Sequence, residues 1–131
     1  MPKFSQSSFS KLCTCHHDLQ VLFYEVIKWY DCEILAGHRT EEEQTIEFDR
    51  GNTRFEWPNS KHNYQPAMAV DVAPVPVRWK SEKRFYVFAG YVMGIAQRLK
   101  EEGKMTHSVR FGGEPEDDQS RNALVHFELF E

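Results

Sequence analysis

The sequence predicts an α+β fold in which helices pack on one face of a small, mainly antiparallel sheet. Three patterns predict it. Two long stretches repeat apolar residues at three- and four-residue steps, as one face of a helix requires. Short stretches between and after them alternate apolar and polar residues, as a half-buried strand requires. The segment 51–79 carries Pro58, Pro66, Pro74 and Pro76, which favours loops and short extended pieces over helix. A chain of 131 residues suits one hydrophobic core, because two cores would each bury too little apolar surface to offset chain entropy. Residues 1–131 are therefore read as one domain.

Residues 18–30 form the first expected helix, with Leu19, Leu22, Phe23, Val26, Ile27 and Tyr30 on one face. Residues 31–36 read as a short strand that ends at Gly37. Thr40 then caps a second helix, Glu43 completes a capping box, Glu41 and Glu42 suit the positive helix start, and Gly51 ends it. The run Glu41, Glu42 and Glu43 is a solvated helix start rather than a metal site, since consecutive helical positions fan out and cannot converge on one ion. Residues 69–73 form a strand. The longest helical pattern covers residues 81–103, with Ser81 as cap, Gly103 as stop, and Phe85, Phe88, Ala89, Val92, Ile95, Ala96 and Leu99 as its core stripe. Strands at 108–111 and 125–130 follow, separated by an acidic, Gly-containing loop at 112–122. No segment repeats another.

A formal charge of −4 gives no electrostatic reason to bind nucleic acid, whose phosphates demand a basic surface. No stretch is long and apolar enough to span a bilayer, and residues 1–10 are polar and lack the apolar core of a leader, so a soluble protein made in a cytoplasm is expected. Cys13, Cys15 and Cys32 are an odd, sparse set better read as reduced thiols than as a disulfide framework. Cys13 and Cys15 stand before His16 and His17, which raises a second metal site. Nothing downstream supplies a matching CxxC or HxxxH pair, so thiols packed beside a helix start are the preferred reading.

The chemistry centres on three side chains. Alternation on residues 69–73 sets Val70 and Val72 on one face and Ala69, Asp71 and Ala73 on the other. A structural aspartate more often lies at a turn or a helix cap, whereas a carboxylate between two alanines leaves room for an ion and a substrate. On the last strand Val125, Phe127 and Leu129 face one way, and His126 and Glu128 the other. The apolar faces suit a core against the long helix, so the polar faces line one cleft on the opposite side of the sheet. His62 reaches that cleft if its loop folds back. A lone histidine is more often structural, but two imidazoles and one carboxylate are a donor set of open zinc sites, whose fourth position is left to water.

The motifs around these residues carry a resemblance. Ser60-Lys61-His62, then Ala69-Val70-Asp71-Val72-Ala73-Pro74, then His126-Phe127-Glu128-Leu129 together resemble the phage endolysin branch of the zinc D-Ala-D-Ala peptidase family, a branch that includes L-alanyl-D-glutamate peptidases. Gly37-His38-Arg39-Thr40 matches the upstream Gly-x-Arg-Thr/Ser motif of that family. Residues 13–19, 88–95 and Arg110-Phe111-Gly112-Gly113 also look like corresponding parts, so the resemblance covers nearly the whole chain. Three-letter matches are common by chance, but four motifs in order at plausible spacing are not.

The resemblance implies a fold of the Hedgehog and D-Ala-D-Ala peptidase type, with zinc held by His62, Asp71 and His126. It places Arg39 on the substrate peptide, Ser60 at the substrate edge, and Glu128 as a residue that orients a ligand or neighbouring backbone. Zinc lowers the pKa of water to about 7 and polarises a carbonyl, and Arg39 would stabilise the resulting oxyanion. The bland reading of Arg39 is a surface pair with Glu41, Glu42 or Glu43, worth about 0–1 kcal/mol; Gly37 before it, permitting a tight turn, favours the functional one. The implied reaction is hydrolysis of the L-Ala–D-Glu bond in the peptidoglycan stem peptide for host lysis, with cleavage near D-Ala-D-Ala as the alternative. Such an endolysin is a monomer that works in the periplasm once another protein has breached the inner membrane.

Two positions depart from the family pattern. A carboxylate normally stands three residues before the last histidine, where it takes a proton from the attacking water and passes it to the leaving amine; here the position is Ala123. Loss of a positioned base removes a factor of about 10²–10⁴ in rate. Three explanations compete: a substitution that traps an inactive enzyme, a natural stem-peptide binding module that no longer cuts, or a base from elsewhere, with Glu128 the nearest substitute and Asp117 and Asp118 more simply solvated charges. Gly113-Glu114-Pro115-Glu116 stands where the family usually has Gly followed by Asp-Trp-Asp, which bears on substrate fit rather than on metal.

Overall fold

A computed structural model describes residues 2–113 and 121–131. Its four-stranded sheet is antiparallel throughout, in the order β1 (Cys32–Ala36), β2 (Ala69–Pro74), β4 (His126–Phe130) and β3 (Ser108–Phe111). The expected α+β class is the one observed. The first helix, α1 (Gln6–Leu12), was not expected, because only Phe9 and Leu12 are large and apolar within its short span. Ser5 caps it by accepting from the Ser8 amide, and the Ser8 hydroxyl accepts from the Ile34 amide of β1 at 2.9 Å. The helix is thereby tied to the sheet by a polar contact that no hydrophobic pattern reveals.

The helix expected at 18–30 is α2 (His17–Val26), ending four residues early, although Ile27 and Tyr30 still pack on the core. Helix α3 (Glu41–Asp49) has the expected capping box, with the Thr40 hydroxyl accepting from the Glu43 amide and the Glu43 carboxylate accepting from the Thr40 amide. Helix α4 (Glu82–Glu101) buries Phe85, Phe88, Ala89, Val92, Ala96 and Leu99, while Ile95 is only partly covered. Ser81 sits at its N-cap but makes no side-chain capping bond, so that expectation fails. Gly103, with φ of 77°, stops the helix as expected.

One core joins α2 and α4 to a single face of the sheet, through Leu22, Phe23, Val92 and Leu99 on the helices and Val70, Val72, Phe127 and Leu129 on the strands. Phe127 meets Phe23, Phe88 and Phe111 ring to ring, which fixes β4 beneath both helices. The alternation of β4 therefore sends His126 and Glu128 to the other face. Two short 3-10 turns complete the frame of that face, Lys61–Asn63 before β2 and Arg121–Val125 before β4. Neither was expected; residue 125 ends the second turn rather than opening the strand.

Gly37 follows β1 and needs its missing side chain for a different reason than the expected turn. Its φ lies outside the left-handed region, but a Cβ there would stand 2.4 Å from the Lys11 carbonyl oxygen and 2.4 Å from Thr14 Oγ1. Gly37→Ala is expected to destabilise the protein by about 1–3 kcal/mol, the cost of overpacking, read as a lower denaturant midpoint at unchanged slope. A midpoint equal to the wild type's would show that α1 yields freely.

Candidate metal centre and substrate cleft

Each of the three expected ligands comes from a different element. His62 lies in the 3-10 turn that follows Ser60, whose hydroxyl accepts from the His62 amide at 3.1 Å. Ser60 thus lines the cleft and also sets the turn, while the Asn63 side chain accepts from the Ser60 amide to close a second capping box. The loop does fold back: the Arg39 amide donates to the His62 carbonyl at 2.8 Å. Asp71 is central in the sheet, paired with Ala36 on one side and His126 on the other. Ala69 and Ala73 are fully buried, and Ala73 packs with Phe85 and Val125, so the expected space between the two alanines is absent. The open volume lies instead over Asp71 and His126, in a cleft of about 310 Å³.

Within that cleft His62 Nε2 stands 3.0 Å from Asp71 Oδ1, and His126 Nδ1 stands 3.2 Å from the same oxygen. The outer nitrogen of each ring is held. His62 Nδ1 donates to the Gly37 carbonyl at 2.7 Å, and His126 Nε2 donates to Glu128 Oε1 at 2.9 Å. Anchoring the outer nitrogen directs the inner lone pair toward the shared centre, which is how metal-binding histidines are oriented by neighbouring carbonyls and carboxylates. The three inner donors lie within 4.8 Å of one another. This donor set fits a divalent ion of zinc type.

Arg39 is buried and pairs with Asp71, Nη2 to Oδ2 at 2.7 Å, not with Glu41, Glu42 or Glu43. Gln44, fully buried on α3, accepts from Arg39 Nη1 at 3.5 Å and anchors itself on the Phe55 carbonyl. Glu128 accepts from His126 and from Lys61, whose Nζ is 3.2 Å away and also reaches the Leu129 carbonyl. Lys61, Gln44 and Asn63 are site residues that sequence reasoning missed. Lys61 and Asn63 left a signal, as the second and fourth residues of Ser60-Lys61-His62-Asn63. Gly112 is a fourth, since a Cβ there would lie 2.7 Å from the Ala123 carbonyl oxygen and 2.8 Å from His126 Cβ.

These contacts set the charges. Burial disfavours ionisation of Asp71, but His62, His126 and Arg39 prevail and hold its carboxyl well below the usual range. Burial pushes the His62 pKa down, against the pull of Asp71, and keeps that ring neutral. Burial works against charge on His126 as well, yet bonds to Asp71 and Glu128 raise its pKa to about 9. Glu128 is opposed by burial and lowered to about 2 by His126 and Lys61. A carboxylate that acidic is a poor proton acceptor at neutral pH. The metal-free site thus carries a proton on His126 that an ion must displace. Apparent zinc affinity is expected to rise about tenfold per pH unit between pH 7 and 9 and to level off above. Calorimetric titration across that range checks it, and a flat profile contradicts it.

Ala123 lines the same cleft, buried at the C-terminal half of the turn that leads into His126. Asp117 and Asp118, and all but Gly113 of Gly113-Glu114-Pro115-Glu116, lie outside the described residues. Among the described residues the set Cys13, Cys15, His16 and His17 forms no ligand cluster. Cys15 is buried beside the Lys11 and Ala69 carbonyls, and burial pushes its thiol up to about 12. His16 instead meets Asp18 and His107. There Asp18 Oδ2 already accepts from the Thr106 and His107 amides and from His107 Nδ1, and His16 Nδ1 accepts from the Asp18 amide, so this group pins α2 to the segment before β3.

A His-Asp-His triangle with both imidazoles anchored thus lies at the floor of an open cleft, on the sheet face opposite α2 and α4. The fold is that of a solved Serratia marcescens L-Ala D-Glu endopeptidase, ChiX, with a TM-score of 0.70 at 21% identity over 98% of this chain and 90% of that one. Residues 1–130 match the phage L-alanyl-D-glutamate peptidase family, and the chain belongs to it. No curated protein matches the sequence.

Proposed function

We propose that this protein is a zinc-dependent peptidoglycan endopeptidase of the L-Ala–D-Glu type, with His62, Asp71 and His126 as metal ligands, and that Ala123 leaves it without its acid–base group. The observation that carries the metal assignment is the pair of anchored imidazoles, each turned so that its inner nitrogen meets Asp71 Oδ1. Zinc held there supplies a Lewis acid for the scissile carbonyl and lowers the pKa of the attacking water to about 7.

The protein's own residues supply the rest. Arg39 holds Asp71 and lines the cleft, and its guanidinium has more N–H donors than Asp71 and Gln44 occupy, so it also offers positive charge to the developing oxyanion. Glu128 and Lys61 fix the His126 ring. Among the described residues, no free carboxylate in this arrangement carries a proton to the leaving amine. Glu128 is already engaged by His126 and Lys61, and Ala123 has no ionisable atom. The same position favours a second reading, a module that binds stem peptide without cutting it.

As an endolysin the protein would reach the wall from the periplasmic side after the inner membrane is breached by another protein, acting as a monomer. No helix among the described residues is long and apolar enough to cross a membrane. The identity of the bond is tested by digesting isolated peptidoglycan with the zinc-loaded Ala123→Asp variant and labelling new amino termini. D-Glu at the new terminus is expected. Release of free D-Ala would assign a carboxypeptidase, and no new terminus from the variant would leave the binding module.

A further inference from the structure

A second cavity, of about 490 Å³, adjoins the metal cleft, and the chemistry described so far makes no use of it. Arg39, Asn52, Asp71 and Asn122 line both, so the two spaces meet at Asp71. The new space is of the size that small-molecule ligands occupy. Leu35, Ile46 and Trp79 give it an apolar wall, on which Ile46 and Trp79 are exposed. The indole is held in place. It stacks on Phe85 with ring centres 5.5 Å apart and planes 24° from parallel, and Phe85 is itself buried with Ala73 and Val125. On the border between the cavities, Asn52 Nδ2 and Asn122 Nδ2 each donate to the Glu47 carboxylate at 3.1 Å. A carboxamide has a second N–H and an acceptor oxygen, so this border sets fixed polar groups beside a flat aromatic wall.

The reading above gives this space an occupant, and the inference rests on that reading. Position 123 serves the leaving amine, and Ala123 lines the first cavity and not the second. The amine side of the scissile bond therefore lies in the first cavity, and the acyl side runs over Arg39 and Asp71 toward the second. On that side the stem peptide has a single residue, L-Ala, whose nitrogen is acylated by the lactyl group of a muramic acid. Six bonds separate the scissile carbonyl carbon from the sugar ring, a reach of under about 8 Å. A ring so near the metal cleft needs room, an apolar surface for its C–H face, and polar partners for its hydroxyl and acetamido groups. The second cavity supplies the room, Trp79 the surface, and Asn52 and Asn122 the partners.

We propose that the second cavity is a glycan subsite, in which Trp79 stacks on the N-acetylmuramic acid ring that carries the scissile L-Ala. The test compares binding of N-acetylmuramoyl-L-Ala-D-γ-Glu-L-Lys with that of acetyl-L-Ala-D-γ-Glu-L-Lys, by calorimetry. It uses the zinc-loaded wild type, in which Ala123 is expected to leave both ligands uncut, and its Trp79→Ala, Trp79→Phe and Ile46→Gln variants. The wild type is expected to bind the muramoyl peptide about 10-fold more tightly, the range of one stacked ring. Trp79→Ala is expected to bind both alike and Trp79→Phe to keep part of the preference. Ile46→Gln, at an exposed position away from the Phe85 stack, is expected to lower the preference with an unchanged melting temperature. Equal affinity of the wild type for the two ligands, or a preference undiminished in Trp79→Ala, overturns the proposal. So does a loss of acetyl-peptide binding in Ile46→Gln at unchanged melting temperature, which would put peptide rather than sugar in this cavity. If the proposal is overturned while Ala123→Asp still cuts the wall at D-Glu, only the subsite is wrong; if that variant is also inert, the peptidase reading falls with it.

Discussion

Replacing Ala123 by aspartate is expected to raise kcat on isolated peptidoglycan by about 10²–10⁴-fold, the contribution of a positioned general acid–base group, with little change in KM. Ala123 lines the cleft three positions before His126, and nothing else in the described part of that cleft offers a free, weakly acidic carboxylate. Asp71 is locked between two histidines and Arg39, and Glu128 is engaged by His126 and Lys61. Release of amino groups at saturating substrate measures the effect. A wild type as fast as the variant would mean that another base serves, and that the account of Ala123 is wrong.

Asp71→Ala is expected to cost about 3–5 kcal/mol of stability in the metal-free protein, and to abolish zinc binding. The stability loss arises because Arg39, 6% exposed, is left with no anionic partner and only a long contact to Gln44, and removing one member of a buried ion pair strands the other. The raised pKa of His126 gives a signature in pH. Its charged form is favoured by folding, so its contribution is present in full below the unfolded pKa near 6.5 and fades as pH rises through about 9. Urea unfolding in chelator at pH 7 and at pH 9.5 separates the effects. A loss below about 1 kcal/mol at pH 7 would show that Arg39 does not depend on Asp71.

The His62, Asp71 and His126 triangle was legible because its parts obey local rules. Alternation alone set Asp71 and His126 on one face, and the core stripes of α2 and α4 decided which face that was. His62 was legible only through the Ser60-Lys61-His62 motif, since its approach depends on a loop whose closing bond joins residues 39 and 62. What stayed hidden was what holds these three side chains in place. Gln44 looks like one more polar residue on a charged helix, yet it is fully buried between Arg39 and the Phe55 carbonyl. Lys61 looks like a surface charge, yet it braces Glu128. Gly37 was read as a turn residue, whereas its need comes from α1, a helix too short and polar to announce itself. Such contacts join residues far apart in sequence and leave no periodic trace.

The central claim is that His62, Asp71 and His126 form a working metal site in a chain that lacks its proton carrier. Zinc bound per chain, measured after dialysis for the wild type, Ala123→Asp and His62→Ala, tests it most directly. The account predicts one ion per chain in the first two and none in the third. Equal zinc in His62→Ala would place the ion elsewhere, with the His16, Asp18 and His107 group the first place to look, and would contradict the assignment on which the proposed chemistry stands.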